Sequence, residues 1–153
     1  MRSTTFYPLK PYGCLITRDV MAIRRPGTYE ISPCLGRTTV LTAAMPNGRP
    51  APLTPEWLDT VRLRVKAVLN AAAMSGHTNL VLGAWGCGAF GNPPTHVARI
   101  FKEELESYQG VFAAVVFAII DPVNDGNLRP FKEKIEVLEV LAHLEKILII
   151  NIF

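Results

Sequence analysis

The chain has 153 residues, 49% of them hydrophobic, 8% aromatic and 19% charged, with 16 Lys+Arg against 13 Asp+Glu. That length and apolar content suit one compact domain with a real core, and they exclude intrinsic disorder, collagen-like repeats and a mucin-like stalk. The longest uncharged apolar run, residues 111–120, is too short to span a bilayer, and the opening MRSTTFYPLKPYG has no apolar signal core.

Three cysteines, Cys14, Cys34 and Cys87, lack paired or zinc-ligand spacing, which fits reduced thiols in an intracellular compartment, cytoplasmic or nuclear. Charge is uneven. Residues 1–50 carry seven Lys/Arg against two acids, Asp19 and Glu30, whereas the remainder carries nine against eleven. A basic first third raises the encounter rate with an anionic partner, or it is simply a set of solvated arginines. No helix-turn-helix signature and no basic run interleaved with aromatics is present, so there is no direct nucleic-acid signature.

The first 35 residues are rich in Pro, Gly and Arg, and they contain one strand-like run, residues 14–23, whose broken alternation predicts a half-buried strand or a strand pair. RTTVLTAA (37–44) is a second β-branched run, closed by the turn signal Pro46-Asn47-Gly48. The clearest helix follows. Thr54 is placed to cap it, Pro55 sits at the first helical position where its missing N–H costs nothing, and Glu56 suits the positive end. Trp57, Leu58, Val61, Val65, Val68, Leu69 and Ala72 form one stripe, and Gly76 closes the helix.

NLVLGAW (79–85) and VFAAVVFAII (111–120) are continuous apolar runs, which predict parallel strands buried on both faces with helices on both sides. Between them lie a glycine loop, 86–94, and a helix over 95–108 with Val97, Ala98, Phe101 and Leu105 turned inward; together these make a βαβ unit. Residues 131–153 begin as a helix, with Phe131, Ile135, Leu138 and Leu141 on one face and Glu133, Glu136, Glu139, Lys132 and Lys134 between. The end, ILIINIF, is expected either to dock on the domain or to pair with another chain.

The chemistry is concentrated in Gly83-Ala84-Trp85-Gly86-Cys87-Gly88-Ala89-Phe90-Gly91-Asn92-Pro93. It lies between a strand and a helix, where open α/β sheets bind ligands. Gly86, Gly88 and Gly91 allow close backbone approach, so successive N–H groups can form a nest for phosphate or diphosphate beside the helix's positive end. The GxGxxG spacing is literally present, but Asp121 stands too far on for the dinucleotide fingerprint. Packing alone is the competing reading of these glycines. Phe90 offers a face for a ribose or base. Cys87 would be a nucleophile only with a lowered pKa and a base. His96, His77 and His143 are not placed to serve, so an inert thiol is the preferred reading. The three histidines are isolated, so neither a metal nor a cofactor is called for.

LVLGAWGCGAFGNPP followed by VVFAIID resembles the microbial-type poly(ADP-ribose) glycohydrolase domain, a branch of the macrodomain fold, and TRDVMAIR and VLTAAMPN upstream resemble it in the same order. The resemblance covers about residues 6–131; residues 1–131 are taken as a partial domain, with 132–153 as a C-terminal helix and apolar tail. It implies an α/β fold, a macrodomain-like three-layer α/β/α sandwich with its N-terminal strands and catalytic loop missing. It further implies recognition of ADP-ribose, poly(ADP-ribose) or an ADP-ribosylated protein. By that resemblance Gly86, Cys87, Gly88, Ala89, Phe90, Gly91 and Asn92 would cradle the diphosphate, with Phe90 against the distal ribose and with Asn47 and Asp121 at the rim.

The family's glycine-triplet segment ending in Gln-Glu-Glu has no counterpart. The sequence has no Gly-Gly pair, its one glutamine is Gln109, and its one adjacent acid pair is Glu103-Glu104, in a helix. No catalytic residue is therefore assigned. Two accounts stand, a fragment of a longer hydrolase and a degenerate binder. A non-enzymatic assembly protein, self-associating through an exposed sheet edge and the apolar tail, is the reading from a different class.

Overall fold

The computed structural model describes residues 9, 10, 12–25, 27–32, 36–49, 53–121, 126–135 and 146–151, the last stretch as backbone only. Cys34, Glu136, Leu138, Glu139, Leu141 and His143 fall outside them. The described elements run β1 (Leu15–Met21), β2 (Arg37–Thr42), α1 (Pro55–Met74), β3 (Asn79–Leu82), α2 (Pro94–Glu106), β4 (Ala114–Ile119), α3 (Leu128–Ile135) and β5 (Lys146–Asn151). None of the described helices is long and apolar enough to cross a membrane.

The strand-like run of the first segment finds its partner in the second. β1 and β2 pair antiparallel as a two-stranded sheet, separate from the other described strands, with the register shifting between Thr17 and Val20. Asp19, at φ 57°, absorbs that bulge in a left-handed conformation that aspartate tolerates better than most residues. One further bridge, Arg24 to Ile31, extends the arm.

α1 forms for the reasons its sequence gives. The Thr54 hydroxyl accepts from the Trp57 N–H at 3.2 Å, Pro55 opens the helix, and the apolar stripe is buried, with Leu58 alone left half-exposed. That cap is worth about 1 kcal/mol. The stripe packs on α2, and Glu104, 3% exposed, stitches the two helices together by accepting from Arg62 at 2.6 Å, with Lys66 3.6 Å away. Glu103 takes the other arm of Arg62 and also Arg99, at 2.8 Å. Burial pushes the Glu103 carboxyl up, but the two guanidiniums outweigh that and hold it below the usual carboxylate range.

β3, β4 and β5 form a parallel sheet in that order. Leu80, Val115, Phe117 and Ile119 look into the core, where the rings of Phe101, Phe117 and Phe131 meet at centroid distances of 5.4, 6.5 and 5.4 Å. The other face differs from what the apolar runs predict. Ala114, Val116 and Ala118 are half-buried, and Val81 is 76% exposed. The runs are apolar on both faces, yet among the described residues the helices cover only one.

The C-terminal segment also departs from a helix with a tail. α3 starts earlier than expected, at Leu128, because the Asp121 carboxylate accepts from the Leu128 N–H at 3.0 Å. Residues 146–151 are neither helix nor loose tail. Their backbone forms β5, in register with β4 from Ala114↔Lys146 to Ile119↔Asn151, so this part of the apolar end docks within the domain.

Candidate functional site

The glycine loop joins β3 to α2, at the carboxyl end of the parallel sheet. Its entry is tight. The Trp85 N–H donates to the Gly83 carbonyl at 2.7 Å and the Cys87 N–H to Ala84 at 3.0 Å. Gly86 has φ +78°, and a Cβ there would stand 2.6 Å from Asn92 Nδ2 and 2.8 Å from the Met45 side chain, so glycine is obligatory on two counts. The Asn92 N–H closes the loop on the Gly86 carbonyl at 3.0 Å, and the Gly91 N–H returns to Gly88 at 2.8 Å.

These bonds leave a specific set of donors over. The N–H groups of Gly88, Ala89 and Phe90 donate to nothing among the described residues. Three successive free N–H groups on an exposed loop tip are the electrostatic element of an anion nest. The adjacent α2 has no acid in its first turn to neutralise its positive end.

Segment 45–49, following β2, seats the loop from the opposite side. Met45 is 4% exposed against the core, and the Gly48 N–H donates to the Phe90 carbonyl at 2.8 Å. Asn92, 1% exposed, donates through Nδ2 to the carbonyls of Pro46 and Gly86, both at 2.9 Å, which clamps segment and loop together. Its Oδ1 has no partner among the described residues. Asn47 Oδ1 accepts from the Arg49 N–H at 3.0 Å, and this local turn sends the Arg49 side chain across Gly91, where a Cβ would collide with it. No described carboxylate pairs with Arg49.

The residues singled out by sequence therefore separate by role. Gly88, Ala89 and Phe90 form the exposed rim, with Phe90 46% accessible. Gly86, Gly91 and Asn92 hold the loop's shape. Cys87 faces inward at 9% exposure, and burial pushes its thiol up to about 12, so at neutral pH it is a protonated, inert group. Asn47 stays exposed beside the loop, whereas Asp121, 4% exposed, caps α3. His77 is half-buried, and its Nε2 has no partner among the described residues. Arg49 was not expected from sequence. Its contact spans 42 positions, and only its place next to an Asn-Gly turn hints that it turns back.

No protein-family profile matches the chain, and no curated protein sequence does. Solved structures do. Poly(ADP-ribose) glycohydrolase from Deinococcus radiodurans, in complex with ADP-ribose, is 38% identical over 82% of this chain, with a TM-score of 0.74. The enzyme from Thermomonospora curvata is 33% identical over 79%, with a TM-score of 0.70. The fold is that of part of a microbial-type poly(ADP-ribose) glycohydrolase domain, macrodomain-like in class. The chain spans about half the length of these structures, 53% of the first and 46% of the second.

Proposed function

We infer that the chain recognises ADP-ribose, free or as a unit of poly(ADP-ribose), through the loop 86–92. The observation that carries this is the row of free N–H groups at Gly88, Ala89 and Phe90, with the Arg49 guanidinium beside it. A diphosphate placed there would accept from the row and pair with Arg49, while Phe90 offers its ring to the adjoining ribose. That the Deinococcus radiodurans structure, at 38% identity, was solved with ADP-ribose supports the same ligand here. Asn47 lies beside this rim; the capping bond of Asp121 gives it a structural duty first.

Hydrolysis is a separate matter. Cleaving a glycosidic bond requires a carboxylic acid to protonate the leaving oxygen. Glu103 and Glu104 are committed to Arg62, Arg99 and Lys66, and Asp121 to α3. The reading is therefore recognition by the loop, and cleavage of ribose–ribose bonds would need a carboxyl group other than these three at the site. Calorimetric titration with ADP-ribose, AMP and NAD tests recognition. Selective micromolar affinity for ADP-ribose, about −8 kcal/mol, is expected; equal affinity for AMP would place the binding energy at the adenosine end and refute the loop's role.

The assembly reading rested on a tail free to pair with another chain. Pairing of residues 146–151 with β4 removes that part of its support.

A further inference from the structure

The hairpin arm carries a concentration of unpaired cations. Lys10, Arg18, Arg24, Arg25, Arg37 and Arg49 are all exposed there, against the two acids Asp19 and Glu30. None of the six pairs with a carboxylate among the described residues, whereas Arg62, Lys66, Arg99 and Arg129 of the helices all do. Charge of one sign left unpaired on a surface attracts a partner of the opposite sign.

The arm also presents aromatic rings, and one of them is held out under strain. Tyr29, at the tip, is 71% exposed and has φ 57°, a left-handed conformation that a bulky residue adopts only at a cost. Its backbone is fastened on both sides. The Tyr29 N–H donates to the Arg25 carbonyl at 3.1 Å, and the Tyr29 carbonyl accepts from the Arg24 guanidinium at 2.8 Å. A ring this exposed contributes little packing, so packing does not account for the strain. An aromatic face beside a guanidinium is the combination that holds a chain of bases and phosphates. At the other end of the arm Tyr12, 63% exposed, stands two positions from Lys10 and just before β1.

We propose that the arm is a second contact surface, for the further units of a poly(ADP-ribose) chain that has one unit in the glycine loop. This rests on the reading of that loop as the ADP-ribose site. Each added unit brings a diphosphate and an adenine, the two groups that unpaired arginines and exposed tyrosines recognise. The position of the arm supports the assignment. Its pairing runs from Leu15↔Thr42 out to the bridge Arg24↔Ile31. The Thr42 end leads into segment 45–49, where the Gly48 N–H donates to the Phe90 carbonyl of the loop. From Leu15 out to Arg25 the arm advances roughly 30 Å at strand rise. One ADP-ribose in the loop does not reach the tip, whereas a polymer does. Single-stranded nucleic acid offers similar groups, but the continuity of arm and loop favours the ADP-ribose polymer.

The test compares affinities of the 153-residue chain for ADP-ribose, for poly(ADP-ribose) of one defined length, and for a single-stranded oligodeoxynucleotide of equal charge, each over a range of salt. Per ADP-ribose unit, the polymer should bind at least about tenfold tighter than the monomer and with a steeper salt dependence. Tyr29→Gly removes the ring and relieves the positive φ. It should weaken polymer binding about tenfold while melting temperature and ADP-ribose affinity stay at wild-type values. Arg18→Gln combined with Arg25→Gln removes two unpaired charges, should lower the polymer's salt slope by about 1.4, and serves if the first variant loosens the tip. ADP-ribose binding with no polymer advantage would overturn the proposal and leave the loop reading intact. Polymer binding unchanged in both variants would overturn it as well. So would equal affinity for the oligodeoxynucleotide, which would mean a surface for any phosphate chain. No binding of ADP-ribose, with polymer binding still lost in Tyr29→Gly, would refute the loop reading and keep the arm as the polymer's site.

Discussion

The two arms that meet at the glycine loop are built differently. Residues 53–135 wrap three helices and two strands round one core, in which Val61, Val65, Leu69, Phe101, Phe117 and Phe131 are at most 1% exposed. None of the described hydrophobic side chains of the hairpin arm is in the fully buried set. Ile16, Met21, Ile23, Tyr29 and Ile31 are 41–75% exposed, and of the arm's described hydrophobic side chains Leu41, half-buried, and Met45, beyond β2, pack against the core. A lone two-stranded sheet is marginal in water. The contrast teaches that the loop's shape is owned by the helical arm, whereas the hairpin arm, through 45–49, brings the clasp and the cation. Among the described residues no strand pairing joins β2 to β3.

The comparison is broken most readily at Gly86. Gly86→Ala forces a side chain into Asn92 and Met45 at a positive φ, and should cost about 2–4 kcal/mol in urea unfolding. Ile31→Ser, on the open hairpin at 75% exposure, should stay within about 0.5 kcal/mol. Equal losses would erase the distinction between the arms.

Binding sharpens it next. Arg49→Ala should weaken ADP-ribose binding about tenfold, roughly 1.4 kcal/mol, and flatten its salt dependence without moving the melting temperature. An unchanged salt dependence would mean that the guanidinium only covers Gly91. Phe90→Ala should cost less, about 0.5–1.5 kcal/mol of affinity.

The smallest effect near neutrality belongs to Cys87. Its folded pKa is raised from the ordinary 9.0 to about 12, so the folded state holds the thiol proton more tightly than the unfolded chain does. The resulting stabilisation is complete below pH 9.0 and is lost as pH rises towards 12. Thermal melts from pH 8 upward should fall more steeply for wild type than for Cys87→Ala, and parallel curves would show that the thiol is not buried.

Local signals in the sequence reached local structure. Thr54 and Pro55 start α1 as their chemistry requires, the apolar stripe is the buried stripe, and the glycine spacing marks the loop. What escaped is non-local. Asn92 clamping Pro46 and Arg49 crossing Gly91 join residues 46 and 42 positions apart, and a Pro-Asn-Gly turn does not announce where it will lie. The continuous apolar runs of β3 and β4 pointed to cover on both faces, but apolarity records what a strand tolerates, not which neighbours are present. The end segment illustrates the same limit. ILII reads equally as a tail, an interface or a strand until the edge of β4 is seen to accept it.

The most direct measurement is a pair of calorimetric titrations with ADP-ribose, wild type against Gly88→Val, each with a melting curve. A Cβ at Gly88 meets nothing within 4 Å, so the variant should fold normally while its side chain crowds the row of free N–H groups. Micromolar binding by wild type, lost in a variant with unchanged melting temperature, is the predicted result. Equal affinity in both, or no heat from a well-folded wild type, would contradict the assignment of ADP-ribose recognition to this loop.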